Sequence, residues 1–223
     1  MKKTVLLIVL LIGLVWGQPT FTEHVISELY YNNPTCVHAA DMDGDGDMDV
    51  LSSSDDDYRI KWYENDGSEN FTEHFIYVPS NVARRVYPAD VDGDGDMDVL
   101  SAGSNDDIVW YENDGSENFT FNLISDSADG ARYVYAADMD GDGDMDVLSA
   151  SYSDDKIAWY EQNADTSFTE HAISTSADGA VSVYAADVDG DGDIDVLSAS
   201  SSDDKIAWYE QNADTSFTEH AIS

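Results

Sequence analysis

The chain has 223 residues, of which 47 are acidic and 9 basic, for a formal net charge of −38. A polyanion of this size is repelled by nucleic acid and by anionic membrane surfaces, and it attracts cations. Thirteen Tyr, five Trp and seven Phe at regular places exclude a solvated, disordered acidic tail.

The first predicted element is an export signal over residues 1–17. Lys2 and Lys3 give a positive start, Val5 to Val15 is apolar apart from Gly13, and a cut is expected ahead of Gln18. The apolar run is short for a bilayer span, and no Cys near the cut marks a lipoprotein. The style is that of a bacterial export signal, so the mature chain, 18–223, is expected to be secreted or held at the cell surface. It carries one cysteine, Cys36, which cannot form an internal disulfide. Stability must come from a core, from metal, or from both. Cys36 falls where a variable loop meets a strand and reads as incidental.

An outer strand is expected at 21–27, and after it one unit repeats four times, over about 36–77, 85–125, 133–174 and 182–223. The triplet Trp-Tyr-Glu begins at Trp62, Trp110, Trp159 and Trp208. Residues 154–174 and 203–223 are identical. The third unit shows four short strands. They are Tyr133–Ala137, Asp146–Ser151, Lys156–Glu161 and Phe168–Ser174, set between Asp, Asn, Gly and Ser clusters. No helical periodicity follows the signal. Four strands in a unit of about 49 residues is the arithmetic of a propeller blade. The predicted fold is all-β, a β-propeller of four-stranded antiparallel blades. The Phe-Thr strand occurs five times, at Phe21, Phe71, Phe119, Phe168 and Phe217, while the other three strands occur four times. That count suits an incomplete or open array with a bare blade face at its C-terminal end.

Within each unit an acidic loop joins the first two strands. Its aspartates are Asp41, Asp43, Asp45, Asp47 and Asp49 in the first copy. They are Asp90, Asp92, Asp94, Asp96 and Asp98 in the second. The third has Asp138, Asp140, Asp142, Asp144 and Asp146, and the fourth Asp187, Asp189, Asp191, Asp193 and Asp195. Each pair of like charges near 4 Å costs between about 1 and about 4 kcal/mol, depending on the local dielectric. Five in nine residues therefore point to a hard divalent cation with oxygen ligands, calcium fitting best. The loops hold no His or Cys for zinc. Side chains at loop positions 1, 3 and 5 can converge if the chain curls, Gly at 6 permits the turn, the carbonyl at 7 can face the ion, and Asp at 9 closes the sphere. The side chain at 7 is expected to point to water. An EF-hand is excluded, because position 12 is Ser and the flanks are strands.

The pattern Asp-x-Asp-Gly-Asp-Gly-Asp-x-Asp-Val-Leu, its first Asp preceded by Ala, and followed by Trp-Tyr-Glu, resembles the FG-GAP/VCBS repeat family over about residues 21–223. The resemblance implies a propeller, typically seven-bladed, as in the integrin α-subunit head. It also implies one structural calcium per loop, about four in all, held by side chains at positions 1, 3, 5 and 9 and the backbone at 7. Four units are fewer than that ring needs.

The remaining residues read as scaffold. His24, His74, His171 and His220 recur with the Phe-Thr strand, and Asn122 replaces one of them, which suits strand packing. The Trp and Tyr of the triplet suit blade core. The connections 28–36, 78–85, 126–133 and 175–182 vary between copies. They carry Tyr30, Tyr31, Arg84, Arg85 and Arg132, the candidate partner-binding residues. The expected function is a secreted, calcium-stabilised, non-enzymatic scaffold for adhesion or binding of an extracellular protein or glycan. The alternative is a non-catalytic accessory domain of a longer secreted enzyme or surface protein. Nucleic acid and a membrane span after signal cleavage are not expected.

Overall fold

The computed structural model describes residues 22–27, 33–54, 59–76, 83–103 and 105–222. The export signal, Tyr30 and Tyr31 lie outside the described residues. All regular structure described is β. Sixteen strands form four separate antiparallel sheets, each a simple meander. The first blade comprises β1 (Pro34–Ala40), β2 (Asp49–Ser54), β3 (Ile60–Asn65) and β4 (Phe71–Ile76). The second comprises β5 (Ala83–Ala89), β6 (Asp98–Gly103), β7 (Ile108–Asn113) and β8 (Phe119–Ser125). The third comprises β9 (Ala131–Ala137), β10 (Asp146–Ser151), β11 (Lys156–Gln162) and β12 (Phe168–Ser174). The fourth comprises β13 (Ala180–Ala186), β14 (Asp195–Ser200), β15 (Lys205–Gln211) and β16 (Phe217–Ala221).

Residue chemistry sets the position of each strand in its blade. The second strands of the middle blades, β6 and β10, are buried along their whole length, because a neighbouring blade covers each face. Their run Asp-Val-Leu-Ser-Ala is accordingly apolar or small at every place a neighbour touches. The fourth strands mix half-buried and exposed residues, as in β12 where half-buried Phe168 and His171 flank exposed Thr169 and Glu170, because their outer side meets water. Register is uniform: Leu51, Leu100, Leu148 and Leu197 stand opposite Trp62, Trp110, Trp159 and Trp208.

The core lies between blades. Leu100, Ile108 and Trp110 of the second blade meet Val134, Val147, Ala158 and Tyr160 of the third. Leu148, Ile157 and Trp159 of the third meet Val183, Val196, Ala207 and Tyr209 of the fourth. One blade alone buries little; stacking makes the core, as in other repeat arrays. The array is open, with the outward faces of the first and fourth blades uncovered by blade packing. Residues 22–27, expected as part of a leading outer strand, are exposed and not in a strand. Each blade already has its own fourth strand, so no vacant edge among the described residues awaits a fifth.

Candidate metal centres

Each acidic loop turns the chain from the first to the second strand of a blade. Positive φ at Gly44 (77°) and Gly46 (95°) lets the first loop curl, and the other three loops repeat this. Curling converges the carboxylates. Ligand oxygens of Asp41, Asp43 and Asp45 lie within 4.8 Å of one another, as do those of Asp90, Asp92 and Asp94. In the third and fourth loops the converging sets are Asp138, Asp140 and Asp146, and Asp187, Asp189 and Asp195.

Backbone amides fix this geometry. Gly46 N–H donates to Asp41 Oδ2 at 3.0 Å, Asp45 N–H to Asp43 Oδ1 at 3.1 Å, and Asp47 N–H to Asp45 Oδ1 at 2.8 Å. The pattern recurs with Gly143 to Asp138 at 3.1 Å, Asp142 to Asp140 at 3.1 Å and Asp144 to Asp142 at 2.9 Å. At positions 3 and 5 one carboxylate oxygen is held by the loop, which orients the carboxylate and leaves the other oxygen for a ligand.

Position 9 has a different job. Asp49, Asp98, Asp146 and Asp195 are buried. Asp146 Oδ2 accepts Met139 N–H from its own loop at 2.8 Å, and Oδ1 accepts Gln162 N–H from the end of β11 at 2.8 Å. Asp98 does the same with Val91 at 2.9 Å and Asn113 at 2.7 Å. The carboxylate thus latches the loop to the third strand. Burial pushes Asp98 and Asp146 up to about 6, against the bonds from their backbone donors. Asp43, Asp92 and Asp140 at position 3 are also raised, by desolvation first and then by neighbouring carboxylates.

The donor set fits a hard divalent cation. It is all carboxylate oxygen, and two oxygens bound at about 2.4 Å can lie up to about 5 Å apart, which matches the clusters. Asp90 Oδ1 is buried with no hydrogen-bond partner, the kind of orphan a cation would satisfy.

The position-7 side chains depart from the expectation of free extension into water in the first two blades. Asp47 and Asp96 are half-buried and lie over Gly67 and Gly115, where a Cβ would come within 2.4 and 2.3 Å of Oδ2. The bare glycine gives the carboxylate room to fold back. In the last two blades that turn lacks Gly, and Asp144 and Asp193 are exposed.

A device the sequence reading missed links the loops. In the second, third and fourth blades the amide after the Trp-Tyr-Glu triplet reaches back one blade. Asn113 Nδ2 donates to Met42 O at 3.4 Å, Gln162 Nε2 to Val91 O at 2.7 Å, and Gln211 Nε2 to Met139 O at 3.1 Å. Each carbonyl belongs to position 2 of the preceding loop. The recurrence of Asn or Gln at this one place was the available signal.

The candidate partner residues are placed otherwise than expected. Arg84 and Arg85 lie in β5 and Arg132 in β9, within strands paired to their neighbours rather than in loops. The Arg84 carbonyl accepts Thr35 Oγ1 of the first blade at 2.8 Å, the Arg85 guanidinium donates to the Thr35 carbonyl, and Arg132 stacks over Tyr152 at 4.6 Å. Arg84 and Arg85 thus join the second blade to the first, whereas the Arg132 contact lies within the third blade. Cys36 is half-buried in β1, with Sγ 3.5 Å from Val86 O. His74, His171 and His220 each meet the triplet Glu of their blade at 2.7 Å and stack on its Trp. Asn122 replaces His and keeps the bond, to Glu112 at 3.0 Å.

Comparison with known proteins supports the same fold. The FG-GAP-like repeat model matches residues 41–101, 90–149 and 138–198, together spanning 41–198. No curated protein matches the chain. The crystal structure of BBS1N in complex with ARL6DN, soaked with lead, superposes with a TM-score of 0.57 at 13% identity. That match covers 87% of this chain and 57% of the other, so the chain spans little more than half its relative. A mercury-soaked crystal of the same complex gives a TM-score of 0.33 at 11% identity, covering 86% and 81%, and carries no weight here.

Proposed function

Because the chain belongs to the FG-GAP-like repeat family, a propeller fold of the binding-scaffold kind, we propose that it is a secreted scaffold whose blades are pinned by calcium. The convergence of three carboxylates at the same corner of all four blades carries this reading. Asp41, Asp43 and Asp45 would hold the ion in the first loop and Asp90, Asp92 and Asp94 in the second, with Asp49 and Asp98 as latches; in the third and fourth loops Asp138, Asp140 and Asp146, and Asp187, Asp189 and Asp195, would hold it, position 9 serving as latch and ligand together. A bound cation supplies charge neutralisation there. The chain's own residues supply the rest: backbone amides orient the carboxylates, and position 9 ties each loop to its blade.

The scaffold is non-catalytic in this reading. The histidines are the obvious acid–base candidates, and they recur as Glu-bound, Trp-stacked members of three blades. Repetition of that kind suits packing better than a single reaction centre. Among the described residues no helix is long and apolar enough to cross a membrane. The partner is proposed to be an extracellular protein; the BBS1N propeller, in complex with ARL6DN, gives a precedent for protein binding by the fold. The test is melting in millimolar calcium against melting in chelator. Metal that binds only the folded chain must raise its midpoint. Equal midpoints would remove calcium from the account.

A further inference from the structure

Gln162, the residue after the third Trp-Tyr-Glu triplet, touches two acidic loops at once. Its backbone N–H donates to Asp146 Oδ1 at 2.8 Å, and Asp146 converges with Asp138 and Asp140 in the third cluster. Its side-chain nitrogen donates to Met145 O of its own loop at 3.1 Å and to Val91 O of the preceding loop at 2.7 Å. A side-chain amide has two N–H donors, so each loop takes one. The Val91 peptide is tied on both sides. Its N–H donates to Asp98 Oδ2 at 2.9 Å, and its carbonyl, held by Gln162, heads the peptide that leads into Asp92 of the second cluster. Gln162 therefore has a member of one cluster on its backbone and the peptide before a member of the next on its side chain.

The same bridge stands on either side. Gln211 N–H donates to Asp195 Oδ1 at 2.8 Å, and its Nε2 donates to Met139 O at 3.1 Å, on the peptide before Asp140. Asn113 N–H donates to Asp98 Oδ1 at 2.7 Å, and its Nδ2 reaches Met97 O at 3.2 Å and Met42 O at 3.4 Å, the latter on the peptide before Asp43. Asn113, Gln162 and Gln211 are 3%, 5% and 5% exposed, so water does not stand in for a lost partner. Hydrogen bonds thus run without a break from Asp195 of the fourth loop to Met42 of the first.

Resting on the calcium reading above, we infer that neighbouring loops bind their ions cooperatively and that Asn113, Gln162 and Gln211 are the positioning residues that couple them. An empty loop crowds carboxylates that repel one another, so it must be ordered before it can hold an ion. Ordering of the third loop fixes Asp146, and Asp146 fixes the Gln162 backbone. The Gln162 side chain then holds the peptide from which Asp92 extends. The second loop has less conformational entropy left to lose, so its own binding is tighter. The coupling is reciprocal, since either loop can be ordered first. It should be strongest between the second and third loops, where the link is shortest at 2.7 Å. It should be weakest between the first and second, where the shorter Asn reaches only to 3.4 Å and Asp98 stands outside the second cluster.

The experiment is a calcium titration of the full chain, read by amide hydrogen exchange at Val91, whose N–H reports on the second loop through Asp98. Salt at about 0.15 M screens exposed charges beyond about 8 Å. Asp138→Asn with Asp140→Asn disables the third cluster. That pair should raise the calcium concentration for half-protection at Val91 by about five-fold or more, the lower end for coupled sites. In Gln162→Leu, which keeps the backbone N–H for Asp146 but has no side-chain donor, the same pair should leave the Val91 midpoint unmoved. Gln162→Asn, one methylene shorter, should restore part of the shift. A merely structural Gln162 would lower stability in Gln162→Leu and leave the shift at full size, which overturns the proposal. A chain with Gln162 intact whose Val91 midpoint ignores loss of the third cluster overturns it too. Should Gln162→Leu fail to fold by circular dichroism, a shift in Gln162→Asn as large as with Gln162 overturns it, and a smaller one supports it. Calcium-dependent protection without the shift removes the coupling alone; protection at Val91 that calcium does not change removes the calcium reading and the coupling with it.

Discussion

Replacing the latch should separate its mechanical role from its part in holding a cation. In Asp146→Ala, the amides of Met139 and Gln162 lose acceptors they hold at 2.8 Å in a buried site. A buried donor left unpaired costs about 1–3 kcal/mol, so the two together cost about 2–6 kcal/mol. Relief of an ionised buried carboxylate offsets part of this near neutral pH, which favours the lower half of that range. The loss must appear in chelator, where no ion contributes. Asp140→Asn is the control. Its side chain is exposed and keeps an oxygen for the Asp142 amide, so in chelator its stability should match wild type within about 0.5 kcal/mol. In calcium both variants should lose the stabilisation contributed by the third loop. Amide hydrogen exchange is the assay of choice, because blades open locally and a single global midpoint averages over them. The Met139 and Gln162 amides should exchange faster in Asp146→Ala and unchanged in Asp140→Asn, both in chelator. Undiminished protection in Asp146→Ala would refute the latch.

The pH dependence has an unusual sign. Asp98 and Asp146 stand at about 6 in the ion-free fold, above their ordinary 3.8. Their ionised forms therefore penalise folding above pH 6, by up to about 3 kcal/mol each, and the penalty fades as pH falls through that value. The chelated chain should melt higher at pH 5 than at pH 7.5, while the increment contributed by calcium shrinks over the same interval. A chelated chain least stable at pH 5 would contradict this. Position 2 offers a test of blade stacking. Val91→Asp puts a charge at a site 1% exposed and should cost several kcal/mol in chemical denaturation. Val188→Asp, at a site 45% exposed, should fall within about 0.5 kcal/mol of wild type in the single chain.

The blades were legible because strand chemistry repeats with the unit. Runs such as Ile157-Ala158-Trp159-Tyr160 carry apolar residues on both faces, which only a strand covered on both sides requires. A convergence of loop carboxylates was legible too, since Gly at 4 and 6 lets the backbone curl through positive φ and bring alternate Asp together; that position 9 replaces position 5 in the third and fourth clusters was not. Partners distant in the chain were not legible. Arg85, which reaches the first blade, and Arg132, which stacks within its own blade, looked like loop residues because their segments vary between copies. Their variation follows from contacts with Thr35 and Tyr152, whose neighbourhoods also differ. Side chains that act across 50 or 71 residues, such as Arg85 on Thr35 or Asn113 on Met42, leave no mark in local pattern. The fold of Asp47 back over Gly67 was hidden for the same reason, since it depends on how two turns stand side by side.

Everything functional here depends on cations among the carboxylates, and bound metal can be counted. After dialysis against calcium and removal of free ion, elemental analysis of the folded chain should find about four calcium ions per chain, one for each cluster. The count should fall by one in a variant carrying Asp138→Asn with Asp140→Asn. A folded chain holding no calcium, or a count unchanged by that pair of substitutions, would contradict the account.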